Sequence, residues 1–169
     1  MGAVILLRLV HIFFGVFWAG GVMFMNFLVG PSLAASGPEG FRVWQELLRR
    51  RYFHIIMGAA ALTILSGLDL MRRDSSNFAP GWFRSATGIG ITTGMSAAII
   101  AFLVGLFGVM PAMKQLKLIG AEMMQAVPEA RAGFTARVDA ARARLVAFGM
   151  VGTMFIAIAV LAMAVARYL

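Results

Sequence analysis

The sequence predicts an all-α fold, a bundle of four membrane-spanning helices. Hydrophobic residues make up 61% of the 169 residues and charged residues only 13%, whereas about a quarter of a soluble domain is charged. The apolar residues lie in four runs, each near the length of about 20 residues that a helix needs to cross a bilayer. Helices are expected because a backbone inside lipid must satisfy its own hydrogen bonds.

The four runs define one integral membrane domain that covers residues 1–169. The predicted spans are about residues 4–29, 52–71, 85–110 and 145–166. Proline removes a backbone donor and disrupts a helix interior, so Gly30-Pro31 is expected to end the first span and Pro111 to follow the end of the third.

Two connections between spans carry their own helical pattern. Residues 36–53 begin with a helix-start signal and place Phe41, Trp44 and Leu47 at helical spacing against charged residues, which predicts an interfacial amphipathic helix. Residues 113–145 are alanine-rich and interrupted by Pro128. They predict a helical hairpin, or extensions of the third and fourth spans.

Basic residues indicate the direction of the bundle. Ten of the 15 lysines and arginines lie in the two connections that follow the first and third spans, and five lie on the other side. The positive-inside rule places the richer side in the cytoplasm. We therefore expect a multi-pass protein of a bacterial-type inner membrane, with a cytoplasmic amphipathic helix, a cytoplasmic hairpin and both termini outside.

The net charge of +8 does not indicate nucleic-acid binding. The basic residues adjoin apolar spans, where they set topology and attract anionic lipid. The expected partner is the lipid bilayer, with other membrane proteins or a second copy of the chain beside it. Cysteine is absent, which excludes a disulfide framework and a thiolate metal site.

Small residues recur at helical spacing in the third and fourth spans. The positions expected to pack helices are Gly90, Gly94, Ala98, Gly149 and Gly152. Small residues let helix backbones approach closely in lipid, where this contact supplies packing energy. Two uses are open: closing the bundle itself, and docking a partner subunit.

An ionisable side chain inside a span is a functional hypothesis by default, and we consider three of them here. His11 is the deepest, and His54 and Asp69 lie near opposite edges of the second span. His11 and His54 are offset on the order of 15 Å along the membrane normal, so one haem iron cannot bind both. A haem held by His11 with another axial ligand stays open.

His11 and Asp69 are expected at similar depth. A carboxylate in that place could orient the imidazole of a metal ligand. The pair could also serve as a structural polar contact that fixes helix register, or as a proton-coupled pair in a small transporter.

The side chains also suit copper(I), which prefers imidazole and thioether ligands. The chain has 13 methionines, and His54 and Met57 are three residues apart on one helix face. Methionine is equally a common gap filler of apolar cores, and this second interpretation stays open.

The first span resembles that of the CopD-like and HemJ-like membrane families. The shared features are a histidine after leucine and valine, a tryptophan seven residues on, a small pair and a closing proline, here His11, Trp18, Ala19, Gly20 and Pro31. The "APGWFR" segment and the last helix are also similar. The resemblance implies copper uptake in one branch, and haem binding with protoporphyrinogen oxidation in the other, with the first-span histidine as a ligand.

The third span lacks the lysine that the HemJ-type pattern places after its glycine-tryptophan pair. No nucleophile–base set, phosphate loop or zinc spacing is found in the sequence either. We therefore predict a non-catalytic accessory or structural subunit that packs against components of a larger respiratory or photosynthetic complex. The alternative is a haem b- or copper-handling protein that uses His11, and the sequence does not decide between a cofactor and none.

Overall fold

The computed structural model describes residues 2–125 and 133–168, and the predicted all-α bundle is confirmed. Four helical segments are long and apolar enough to cross a membrane: Gly2–Ala35, Tyr52–Asp74, Ala86–Met123 and Thr135–Tyr168. The chain is therefore a multi-pass integral membrane protein in contact with the lipid bilayer.

The described parts of the four spans and their connections form seven α-helices. These are α1 Gly2–Phe24, α2 Gly30–Ala35, α3 Gly37–Arg49, α4 Tyr52–Asp74, α5 Ala86–Val104, α6 Met110–Gln125 and α7 Thr135–Val165. The described chain also contains short 3₁₀ segments at Trp82–Arg84 and Ala166–Tyr168. The break predicted at Pro128 lies outside the described residues.

The sequence predicted that the first and third spans end at their prolines, but in the structure both helices continue past them. Met25–Val29 joins α1 to α2 and Gly105–Val109 joins α5 to α6 as single turns of π-helix. In each turn the closing amide donates to a carbonyl five residues back, Gly30 to Met25 and Met110 to Gly105. The wider turn precedes a proline that cannot donate, so the helix continues past it.

The bundle consists of two closely packed helix pairs. The first span packs mainly on α4, and α5 packs mainly on α7, whereas contacts between the pairs are fewer. The core joining them contains Trp18 and Ile56 from one pair and alanines with Ile156 from the other. Looser contact between the pairs leaves space for the cavities described below.

One end of the bundle carries α2, α3, the outer part of α6 and the start of α7, and is called the basic end here. The amphipathic helix predicted in this region is α3, with Trp44 and Leu47 half-buried. On its exposed side Arg49 and Arg50 each donate a 2.7 Å hydrogen bond to Glu46. These bonds lower the pKa of Glu46 to about 2.

The second predicted connection consists of helical extensions that pair with each other. The third span continues through α6 to Gln125, and α7 begins at Thr135, well before the predicted start of the fourth span. An ion pair of 2.8 Å between Arg137 and Glu122 joins the two arms. Of the two predicted forms, the extensions of the third and fourth spans are therefore observed, and the turn that would close a hairpin lies outside the described residues.

Candidate functional site

His11 lies half-buried between the first span and α4, where its ring is fixed by a backbone acceptor. Its Nδ1 lies 2.8 Å from the carbonyl oxygen of Thr63 and 3.5 Å from the Ser66 hydroxyl. A carbonyl only accepts, so Nδ1–H donates, and in the neutral ring Nε2 keeps its lone pair. Metal-ligating histidines commonly have this arrangement, in which the second nitrogen donates to a carbonyl.

A small cavity of about 90 Å³ adjoins the His11 ring. Its walls include Met95 of α5 and Met163 of α7, which sequence reasoning did not connect with the histidine. A Cβ on Gly67 would lie 2.8 Å from His11 Cε1 and 3.0 Å from Met95 Cε. The imidazole and the Met95 methyl group therefore both pack against the backbone at Gly67, where a side chain would displace them.

The size and lining of this cavity distinguish between the two cofactors considered above. Cofactor and drug-sized ligands occupy pockets of about 300–1,000 Å³, so a haem does not fit a cavity of about 90 Å³. A single ion fits, and one imidazole with two thioethers is a donor set that suits copper(I). Methionine placement along the chain alone could not reveal this set, because its members lie on three different helices.

Asp69 is engaged by arginines of its own helix. Its Oδ1 accepts from Arg72 at 2.7 Å and its Oδ2 accepts from Arg73 at 3.0 Å. In the described part of the chain, the hydrogen bonds of His11 go to Thr63 and Ser66 and not to Asp69. The proposed His11–Asp69 contact is therefore not formed in this structure. The carboxylate instead forms ion pairs with the two arginines at the end of its own helix.

His54 and Met57 are neighbours on α4 but differ in their surroundings. The His54 side chain is exposed on the outside of the bundle, with its ring edge-on to Phe53 at 6.3 Å between centroids. Met57 is half-buried and lines a larger cavity that His54 does not reach. Within residues 2–125 and 133–168, no three histidine, aspartate or glutamate side chains gather as a metal site.

The small residues of α5 lie inside the bundle. Cβ atoms on Gly90 and Gly94 would lie 2.8 Å from Ala166 Cβ and 2.6 Å from Met163 Cγ. Ala98 is buried in the same core. This face packs α5 against the last helix, so it is not available to a partner subunit.

Asn26 forms a polar contact between the two helix pairs that sequence reasoning missed. Its amide donates to the Gly149 carbonyl at 3.0 Å and to the Thr153 hydroxyl at 2.7 Å. A Cβ on Gly149 would lie 2.7 Å from Asn26 Oδ1, whereas one on Gly152 would meet Val104 Cγ1 at an ordinary 3.8 Å. The sequence did contain a signal, because a carboxamide is unusual inside an apolar run. It was missed because only ionisable side chains were considered as polar groups of the spans.

A larger cavity of about 400 Å³ opens at the basic end, between the two helix pairs. Its walls include Trp18 and Met25 of the first span, Trp44 of α3, Met57 of α4 and Arg142 of α7. Both π-helical turns also contribute to its lining. Its volume lies within the usual range of small-molecule pockets.

Comparison with protein-family models, with curated proteins and with solved structures gives no match for this chain. Fold and site together define an integral membrane protein of four spanning helices, with a polar histidine site at one end and a larger apolar cavity at the other.

Proposed function

We propose that this chain is a non-catalytic accessory subunit that packs against a helix of another membrane protein in a larger assembly. The observation that carries the proposal is the uncovered first span. In its most apolar stretch, only 6% of the residues are buried, compared with 33%, 33% and 28% in the corresponding stretches of the other three spans. The first span is thus an edge helix with most of its surface facing outward.

The exposed face of the first span has a shape that favours a helix over lipid. Exposed residues recur at helical spacing along it: Leu9, Phe13, Val16, Gly20, Phe24 and Phe27. Gly20 forms a notch among the large residues, because nothing lies within 4 Å of the place where its Cβ would be. Small residues at such places allow a second helix to approach closely, which supplies packing energy in lipid.

The basic residues support an orientation for this subunit. We place the basic end in the cytoplasm and both termini outside, in a bacterial-type inner membrane. Lysine and arginine concentrate in the connections at the basic end, and such connections stay on the cytoplasmic side. A respiratory or photosynthetic complex is the assembly that we propose for the partner.

Substitution of two open glycines tests the packing proposal. Gly20→Leu fills the notch on the first span, and Gly58→Leu adds the same side chain to the exposed side of α4, where a Cβ also meets nothing within 4 Å. In mild detergent, the wild type and Gly58→Leu should migrate on a native gel in a large complex. Gly20→Leu should migrate as a small particle.

Two results would contradict this proposal. The wild type could migrate alone after gentle extraction from its native membrane, or Gly20→Leu could keep the same partners as Gly58→Leu. Thermal unfolding of both variants serves as the folding control, since both positions are open and neither substitution should disturb the bundle.

A second candidate function rests on the His11 cavity. We propose that His11 Nε2, with the thioethers of Met95 and Met163, holds copper(I), in keeping with the CopD-like resemblance of the first span. The support is the Nδ1–H bond to the Thr63 carbonyl at 2.8 Å, which orients the ring and leaves Nε2 as the ligand. The two methionines supply the soft donors that copper(I) prefers.

Metal analysis and an absorption spectrum test this second candidate. Protein loaded with copper(I) under reducing conditions should retain the ion, His11→Ala should lose it, and His54→Ala should keep it. Equal retention in both variants would remove His11 as a ligand. A Soret band that disappears in His11→Ala would replace copper by haem, and the cavity would then have to open to admit the macrocycle.

A further inference from the structure

The cavity of about 400 Å³ at the basic end is separate from the His11 cavity and has no role in the proposals above. It lies in the cleft between the two helix pairs, and α3 covers part of it with Phe41 and Trp44. An apolar space at this level of a bundle is adjacent to the acyl chains and headgroups of the surrounding leaflet.

The backbone geometry around the cavity explains why side chains do not fill it. Two π-helical turns contribute walls, and glycines at 30, 105 and 149 leave parts of those walls without side chains. A Cβ on Gly105 would lie 3.1 Å from Met57 Sδ, and one on Gly149 would lie 2.7 Å from Asn26 Oδ1. Larger residues at these two positions would collide with their neighbours, so the cavity wall stays without side chains there.

The chemistry of the walls identifies the occupant. Most of the lining is aliphatic, aromatic or thioether, and two of its polar side chains, Asn26 and Tyr52, have partners. The Asn26 amide donates to Gly149 and Thr153, and the Tyr52 hydroxyl donates to the Gly21 carbonyl at 2.9 Å. An occupant of the interior therefore needs no hydrogen-bonding groups there, because an unpaired polar group would be costly.

Within residues 2–125 and 133–168, Arg142 is the one charged residue that lines the cavity, and it is exposed. Among the described residues, the ion pairs are formed by other arginines and none by Arg142. A guanidinium at the mouth of an apolar space complements a molecule with a long apolar chain and one anionic end.

We infer that this cavity binds an anionic phospholipid, with one acyl chain inside and the headgroup phosphate at Arg142. Membranes supply such lipids at high local concentration, and basic residues at the membrane surface attract them with about 1 kcal/mol each. The bound lipid would act as an integral part of the bundle, filling the cleft between the two helix pairs.

Native mass spectrometry of the full-length protein tests the headgroup contact. The protein is released from micelles doped with equal mole fractions of phosphatidylglycerol and phosphatidylcholine, and the retained lipids are counted. Wild type should prefer phosphatidylglycerol by about fivefold, the factor that about 1 kcal/mol corresponds to. Arg142→Gln should lose this preference, and Arg144→Gln, which makes the same charge change off the cavity, should keep it.

A second pair of variants tests the acyl-chain contact. Val146 lines the mouth of the cavity one helical turn from Arg142 and is 62% exposed, so Val146→Trp can narrow the entrance without overpacking the core. It should lower retention of both lipids. Val151→Trp places the same side chain at a position of α7 that is 40% exposed and does not line the cavity. This variant should retain both lipids as the wild type does.

Three results would overturn the inference. Wild type could retain the two phospholipids equally, Arg142→Gln could match Arg144→Gln, or Val146→Trp could match Val151→Trp. Oleate in place of phosphatidylglycerol provides the comparison with a free acid, and retention of oleate alone would reject a phospholipid as the ligand.

Discussion

Gly149→Ala should destabilise the bundle far more than the same change three residues further along α7. An added Cβ at Gly149 would lie 2.7 Å from Asn26 Oδ1 and 3.3 Å from both Cγ and Nδ2 of that side chain. The amide would have to move, which breaks its hydrogen bonds to the Gly149 carbonyl and the Thr153 hydroxyl. The contact joining the two helix pairs would then be lost.

The expected loss follows from two contributions. Hydrogen bonds between membrane helices contribute about 0.6 kcal/mol each on average, and overpacking a tight site costs about 1–3 kcal/mol. Gly149→Ala should therefore lower the free energy of unfolding by about 2–4 kcal/mol. At Gly152 the added Cβ meets only Val104 Cγ1, at 3.8 Å. Gly152→Ala should therefore change the free energy of unfolding by less than about 0.5 kcal/mol.

Unfolding by sodium dodecyl sulfate in mixed micelles, followed by tryptophan fluorescence, measures both variants. A double-mutant cycle adds a sharper test, because Asn26→Ala removes the side chain that the new Cβ meets. The double variant should then lose less stability than the sum of the single losses. Equal stability of Gly149→Ala and Gly152→Ala, or additive losses in the cycle, would refute the steric reasoning.

Three further predictions follow from single contacts. Gly67→Ala should displace the His11 ring, whose Cε1 would be 2.8 Å from the new Cβ, and copper(I) retention should fall although every ligand remains; unchanged retention would argue against this geometry. Because the pKa of Glu46 is lowered from 4.5 to about 2, its ion pairs should stabilise α3 fully above about pH 4.5 and lose this effect as the pH falls towards 2. The measurement uses a background variant in which Trp44 is the only tryptophan left. In that background, the fluorescence with Glu46→Gln should differ from the fluorescence with Glu46 near neutral pH and match it near pH 2. A difference that stays constant with pH would contradict the assignment. Glu122→Ala removes an exposed ion pair between the two arms and should lower the unfolding free energy by no more than about 1 kcal/mol; a larger loss in the same unfolding assay would show that the arms depend on it.

The sequence predicted the spans because each is a long apolar run, a local property that needs no knowledge of neighbours. It also predicted α3, since Trp44 and Leu47 alternate with charged residues at helical spacing. It was wrong about how the first and third helices pass Pro31 and Pro111. The wider turn before each proline is one of two ways to accommodate a missing donor, and the local sequence alone did not favour it over termination.

The candidate sites were predicted less well, because their members are distant in sequence. His11 was recognised as a polar residue in an apolar run, but its hydrogen-bond acceptor is a backbone carbonyl of another helix, which no side-chain pattern announces. Met95 and Met163 became candidates only when they were found lining the same cavity as His11. Asp69 was assigned to the wrong contact, because depth in the membrane says nothing about rotation around the helix.

The sequence by itself determined that this protein spans a membrane four times and carries its basic residues mainly at one end, since hydrophobicity and charge act on each segment separately. Only the tertiary structure decided which faces of the helices meet. That choice depends on the fit of glycines against particular side chains, such as Gly94 against Met163 and Gly149 against Asn26. Such packing involves pairs of distant residues, so no single segment encodes the two separate cavities, the one beside His11 and the larger one at the basic end.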